Sequence, residues 1–160
     1  MTEEEAVRAL RDDDAGTAAR AASALWEMWH VSGVAEIDKT LRRGVEAMER
    51  GDLLAAEARF TDIIRRAPDY AEGWNKRATA RYLSGNHGAA VADCEETLKR
   101  KPHHFGALSG QGLSHMALGQ HKEAADLFRR TLAVYPHLEA ARRNLAAALG
   151  EMVKGNGHGS

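Results

Sequence analysis

The 160 residues contain three prolines, Pro68, Pro102 and Pro136, and both gaps between them are 34 residues. Proline has no backbone N–H and pushes the residue before it out of the helical region, so each of the three marks a helix end. Gly51, Gly85 and Gly119 keep the same spacing, as do Ala56, Ala90 and Ala124, and the set Phe60, Cys94 and Phe128. Four columns in one register make the chain a tandem array, and a period of this length means stacked supersecondary units.

Each unit has a physical reading. A first helix ends at the glycine, which takes a left-handed C-cap without steric penalty. A short turn follows, and a second helix runs to just before the proline. Ala56, Phe60 and Ile63 lie at i, i+4 and i+7, one face of that second helix. Ala90, Cys94, Thr97 and Ala124, Phe128, Thr131 repeat the face. In the first helix of the middle unit Trp74, Ala78 and Tyr82 alternate bulk with smallness before Gly85. Ala78 shares its column with Gly44 and Gly112, and is expected where two helices meet, with Trp74 and Tyr82 filling gaps between helices.

This pattern closely resembles the tetratricopeptide repeat, a 34-residue helix-turn-helix with a small residue, an aromatic and a terminal proline at these offsets. The units read as 37–70, 71–104 and 105–138, and the middle one fits best. The resemblance implies an all-α, right-handed superhelix of helical hairpins. Two family columns depart from the pattern. The usual aromatic is Thr40 in the first unit and Leu108 in the third. A second column holds Ala47, Arg81 and His115, choices expected to weaken packing of the first helices.

A stack leaves an apolar face bare at each end, and capping helices cover it. Residues 139–153 fit such a cap, with Ala141, Leu145, Ala148, Leu149 and Met152 on one helical stripe. Residues 154–160, rich in glycine, are expected to be a disordered tail. Upstream, residues 1–36 hold two helices. Thr2 and Glu5 form a capping-box pattern for the first, over Glu3–Leu10. Asp12, Asp13 and Asp14 precede the second, about Ala15 to Val31, whose stripe is Ala18, Ala22, Leu25, Trp26 and Trp29. This pair is expected to fold onto the first repeat as its cap; a dimer contact through the tryptophans is the alternative.

Chemistry is hard to find. The aspartate triplet lacks the glycine and glutamate of a calcium loop, and its carboxylates suit a helix N-terminus. None of the eight histidines sits at i, i+4 from another, and Cys94 lies on a core column, so no metal is expected. No nucleophile elbow, dinucleotide fingerprint or carboxylate pair appears, so no enzyme activity and no cofactor are expected. The basic pairs, such as Arg65-Arg66 and Lys99-Arg100-Lys101, fall in last helical turns, where cations are favoured, and lack interleaved aromatics. Together with a net charge of -1 this argues against a nucleic-acid partner. No apolar run reaches the roughly 20 residues a membrane crossing needs. A single cysteine suits a reducing compartment, and a cytoplasmic protein is the expectation.

The resemblance implies a concave groove lined by the first helices, which receives peptides. By register the first unit offers Leu41, Val45 and Met48 (with Arg42), and the second Asn75, Lys76, Thr79 and Tyr82 (with Glu72). The third offers Ser109, Leu113 and Met116, and the C-terminal helix adds Arg143 and Asn144. The expected role is a non-catalytic interaction module that holds a peptide segment or partner helix there, acting as a monomer. Heat-shock co-chaperones of the family clamp a C-terminal carboxylate with lysines, asparagines and an arginine. Leu41, Val45, Lys76, Gly106 and Gly110 stand in those five places, so a chaperone-tail adaptor is disfavoured.

Overall fold

The computed structural model describes residues 1–158, and these form nine helices. The repeats are three hairpins. Ala35–Glu49 (α3) pairs with Leu53–Arg66 (α4), Ala71–Leu83 (α5) with His87–Arg100 (α6), and Phe105–Ala117 (α7) with His121–Val134 (α8). Before them lie Glu3–Ala9 (α1) and Ala15–His30 (α2), and after them Glu139–His158 (α9). The expected helices and glycine stops are all present. At the three hairpin turns Gly51, Gly85 and Gly119 have φ of 81°, 85° and 75°. The amide after each glycine donates five residues back, to Ala47, Arg81 and His115 at 2.9, 2.8 and 2.8 Å. This satisfies a carbonyl that the helix end leaves open.

The small column works as a socket for the large one. A Cβ placed on Gly112 would lie 2.5 Å from Phe128 Cε1, and one on Gly44 would lie 2.9 Å from Phe60 Cδ1. Both phenylalanines are fully buried. In the middle unit the pair is Ala78 and Cys94, a slightly larger socket residue facing a much smaller knob. The middle unit compensates with charge. The Arg77 guanidinium donates to both Asp93 oxygens at 2.9 and 2.8 Å, and Arg81 donates to Asp93 and Glu57 at 3.1 and 2.9 Å. The arginine at position 81 thus ties α5 to α4 and α6, correcting the expectation that it weakens the first helix.

At the C-terminal end α9 lies on the last repeat: Leu145, Ala148, Leu149 and Met152 pack with Ala124, Ala125 and Phe128. It runs further than the sequence suggested. The backbone stays helical through His158, so the expected disorder from Lys154 is not seen there. A glycine inside a helix costs only about 1 kcal/mol relative to alanine, and the α9 backbone runs through Gly155 and Gly157. The rest of the expected tail, residues 159 and 160, lies outside the described residues.

The N-terminal pair holds the largest departure. Its local structure is as read: Thr2 and Glu5 form the reciprocal capping box, and Asp14 caps α2 by accepting from the Thr17 amide at 2.9 Å. Its position is not. Leu10, Leu25 and Trp29 form a core with Phe105, joined by Val134, Tyr135 and Leu138. Lys101 pairs with Glu3 at 2.8 Å, and His137 meets the Asp12 carbonyl at 2.8 Å. The hairpin therefore rides on the second and third repeats, along the edge made by the loops that link one unit to the next. The first repeat needs no lid because Glu36, Lys39, Arg42, Arg43 and Glu46 on α3 are all exposed to water.

Candidate peptide-binding groove

The groove begins where the hairpin meets α5 and α7. Glu72, in the first turn of α5, has no exposed surface, and neither has His104, the N-cap of α7. His104 Nδ1 accepts the Ala107 amide at 3.0 Å, so Nε2 carries the proton that bonds Glu72 Oε1 at 2.5 Å. Asn75 donates to the other Glu72 oxygen at 3.2 Å, and Lys76 Nζ and His30 Nε2 each stand 3.9 Å from it. Burial pulls the Glu72 carboxyl upward. The His104 hydrogen bond, with the neighbouring Lys76 and His30, outweighs that and holds it below the usual carboxylate range.

The tryptophans close this end. Trp29 stacks on the His104 ring at 4.2 Å, and its indole donates to Glu3 at 2.7 Å. Trp26 stands edge-on to His104 and Phe105, and Lys76 Nζ lies 5.5 Å from its ring centre. Its far edge rests on Gly106, where a Cβ would come within 2.5 Å of Trp26 Cη2. Gly106 is thus the backbone seat for an indole from a helix 80 positions earlier.

Beyond that seat the groove is open. Asn75, Ala78, Thr79 and Tyr82 of α5, Gly106, Gly110, Leu113 and Ser114 of α7, and Cys94 of α6 enclose a cavity of about 110 Å³. Thr79 and Ser114 turn their hydroxyls onto helix carbonyls, at 3.2 and 2.9 Å. Burial, with Asp93 and Glu95 nearby, pushes the Cys94 thiol up to about 12, so it stays a neutral wall.

Of the residues assigned to the groove from sequence, Asn75, Thr79, Tyr82 and Leu113 come together here. Lys76 sits at the closed end over Trp26. Leu41 is buried with Ile37, Phe60 and Ile63 in the first repeat's core, against which Val45 and Met48 pack, so Leu41 offers nothing to a ligand. Met116 packs into the last core and contacts His121. Ser109 and Asn144 are half-buried and Arg143 is exposed; none of the three lines the cavity. Asn75, expected at the surface, is buried, with its amide nitrogen tied to Glu72. Sequence reasoning missed Trp26, His104, Gly106, Gly110 and Cys94. The two glycines on one helix face were the available sign of a close approach. Trp74 is not part of the cavity lining: its indole donates to the Pro68 carbonyl at 2.9 Å, and Arg100 lies 4.8 Å from its ring centre.

Among the described residues no group of three metal-ligating side chains gathers. No helix among them is long and apolar enough to cross a membrane.

Paired antiparallel helices stacked at a 34-residue period, with a groove along the first helices, define a helical-hairpin solenoid. The sequence matches the tetratricopeptide repeat family over residues 41–105 and 109–151. A TPR repeat-containing protein of Rhizobium etli is 32% identical over 146 residues, which cover 91% of this chain and 71% of that protein. The next curated relatives, 28% and 30% identical, are longer, and the chain spans 37% and 19% of them. Among solved structures, the Sgt2 TPR domain of Aspergillus fumigatus superposes with a TM-score of 0.75 at 24% identity, covering 79% of this chain and 85% of that one. The first TPR of Spaghetti, bound to an HSP90 peptide, gives 0.72 at 20% identity, covering 73% and 93%. This chain belongs to the tetratricopeptide repeat family.

Proposed function

We propose that the chain is a non-catalytic protein-interaction module that holds a peptide segment or partner helix in the groove between α5 and α7. The observation that carries this reading is the cavity to which Asn75, Thr79, Tyr82 and Leu113 contribute from neighbouring first helices. The peptide-bound state of the Spaghetti domain supports the same use of the fold. A chaperone-tail ligand is not favoured, because Leu41, Val45, Gly106 and Gly110 supply no charge or amide for a terminal carboxylate. Affinity is expected on the order of micromolar, about -8 kcal/mol, since the open part of the groove is small.

The chain acts as a monomer in this reading. Trp26 and Trp29 pack against its own second and third repeats, which supports this reading over a tryptophan-mediated dimer. Sedimentation at micromolar concentration should give a species near 17.4 kDa. For the groove, partners captured by the wild type should be lost from a Thr79→Arg, Leu113→Lys double variant with unchanged helicity. Equal capture by both would move the binding site off the groove.

A further inference from the structure

The pocket left open beyond Trp26 has a definite character. It is floored by Gly106 and Gly110 and walled by Ala78, Tyr82, Cys94 and Leu113, and no charged side chain lines it. Its rim donors are largely used within the protein, since the Thr79 and Ser114 hydroxyls donate to helix carbonyls and the Asn75 amide nitrogen to Glu72, which leaves the uncharged Asn75 carbonyl oxygen and Tyr82 hydroxyl at the rim. A charged guest would leave water and find no counter-charge, which is unfavourable. An apolar guest loses nothing. Size narrows the choice further, because about 110 Å³ is smaller than the roughly 150 Å³ cavity that admits a benzene ring. The pocket also continues an interface that exists within the molecule. Gly106 serves both as the seat of Trp26 and as the near wall of the pocket, so a guest would extend the apolar row that α2 begins.

We infer that the pocket receives one aliphatic side chain, of the size of valine, leucine, isoleucine or methionine, carried by a polypeptide partner lying along α5 and α7. The inference rests on the groove reading above and narrows it to an anchor class that needs neither an aromatic ring nor a terminal carboxylate.

A displayed library of random short peptides, selected on the full chain, tests this. Enriched clones should share one aliphatic residue and no required charge. Gly110→Leu should weaken them by about tenfold or more, since its side chain would occupy the space of the guest. The nearest atom to a Cβ there is Cys94 Sγ at 3.8 Å, an ordinary contact, so the helix accommodates the change. Leu113→Ala enlarges the pocket and should shift the selected residue to a bulkier one, which gives a second reading should Gly110→Leu misfold. Clones sensitive to Gly110→Leu but requiring an aromatic residue or a free acidic C-terminus would overturn the aliphatic anchor and leave the groove reading standing. Failure to enrich any peptide, or clones indifferent both to Gly110→Leu and to Thr79→Arg, Leu113→Lys, would overturn the two together.

Discussion

The middle repeat and its two neighbours solve the same packing problem in different ways. In the first and third repeats a phenylalanine ring from the second helix presses onto a glycine of the first, Phe60 on Gly44 and Phe128 on Gly112. The middle repeat puts Cys94 opposite Ala78 and recovers cohesion from Arg77, Arg81, Asp93 and Glu57. Leu127 of the third repeat stands where Asp93 stands in the second. A ring fills the space between its helices; a thiol does not, and Cys94 is therefore a wall of the open cavity. The repeat that gives up its aromatic knob is the one with room for a guest, and ion pairs hold it together meanwhile.

The largest effect is expected where charge replaces packing. Asp93→Ala leaves Arg77 with only the Thr61 hydroxyl and the Trp74 ring, and Arg81 with only Glu57, a loss of about 3 kcal/mol read from the denaturant midpoint. An unchanged midpoint would mean that the middle repeat does not depend on its ion pairs. Next come the glycine sockets: Gly44→Ala and Gly112→Ala should each cost about 1–3 kcal/mol through overpacking. Ala78→Gly should cost no more than about 1 kcal/mol, the ordinary helix penalty. Equal losses at all three positions would erase the distinction between the repeats.

A smaller effect belongs to the opening turn of the middle repeat. The Glu72 carboxyl is held below its ordinary value, so the unfolded chain binds its proton more readily than the folded one. The stability this gives is complete above the unfolded pKa of about 4.3 and drains away as pH falls through the lower folded value. Glu72→Gln should flatten the acid side of the stability–pH profile, measured by denaturant titration between about pH 2 and 6. The double variant Ala78→Gly, Cys94→Phe copies the outer repeats into the middle one, and its readout is binding rather than stability. Its midpoint should stay within about 1.5 kcal/mol of wild type, while peptide binding disappears because the ring fills the pocket.

Fold and site differ in how much of them could be read from sequence. The helices, glycine turns and proline stops follow from contacts a few residues apart, and their 34-residue recurrence fixed the hairpins. The C-terminal cap was equally plain, since α9 has a single apolar stripe and an adjacent repeat to cover. The seat of the N-terminal hairpin was not. Trp26 and Trp29 mark α2 as a helix that must be buried, but nothing in its pattern names the repeat that buries it. That choice lies in the charged outer face of α3, which declines a cap, and in Gly106, which makes room for an indole. Leu41 was misjudged for a related reason. Register places a residue on a helix face, while burial depends on what lies over that face: a first-repeat core covers Leu41, whereas Asn75 does line the cavity, held by Glu72.

The hairpin's docking changes how the chain acquires its fold. A solenoid whose units touch only their neighbours folds quasi-one-dimensionally: any unit can nucleate, and the ends can fray separately. Here Lys101 reaches back 98 residues to Glu3, and His137 reaches 125 to Asp12. Those contacts cannot form until the second and third repeats are both in place, and they pay a loop-closure cost that the repeats themselves never meet. They also give the array a latch. While the hairpin is docked, neither of these repeats can unravel without releasing it, so the second and third repeats are coupled into one melting unit beyond what neighbour contacts alone provide.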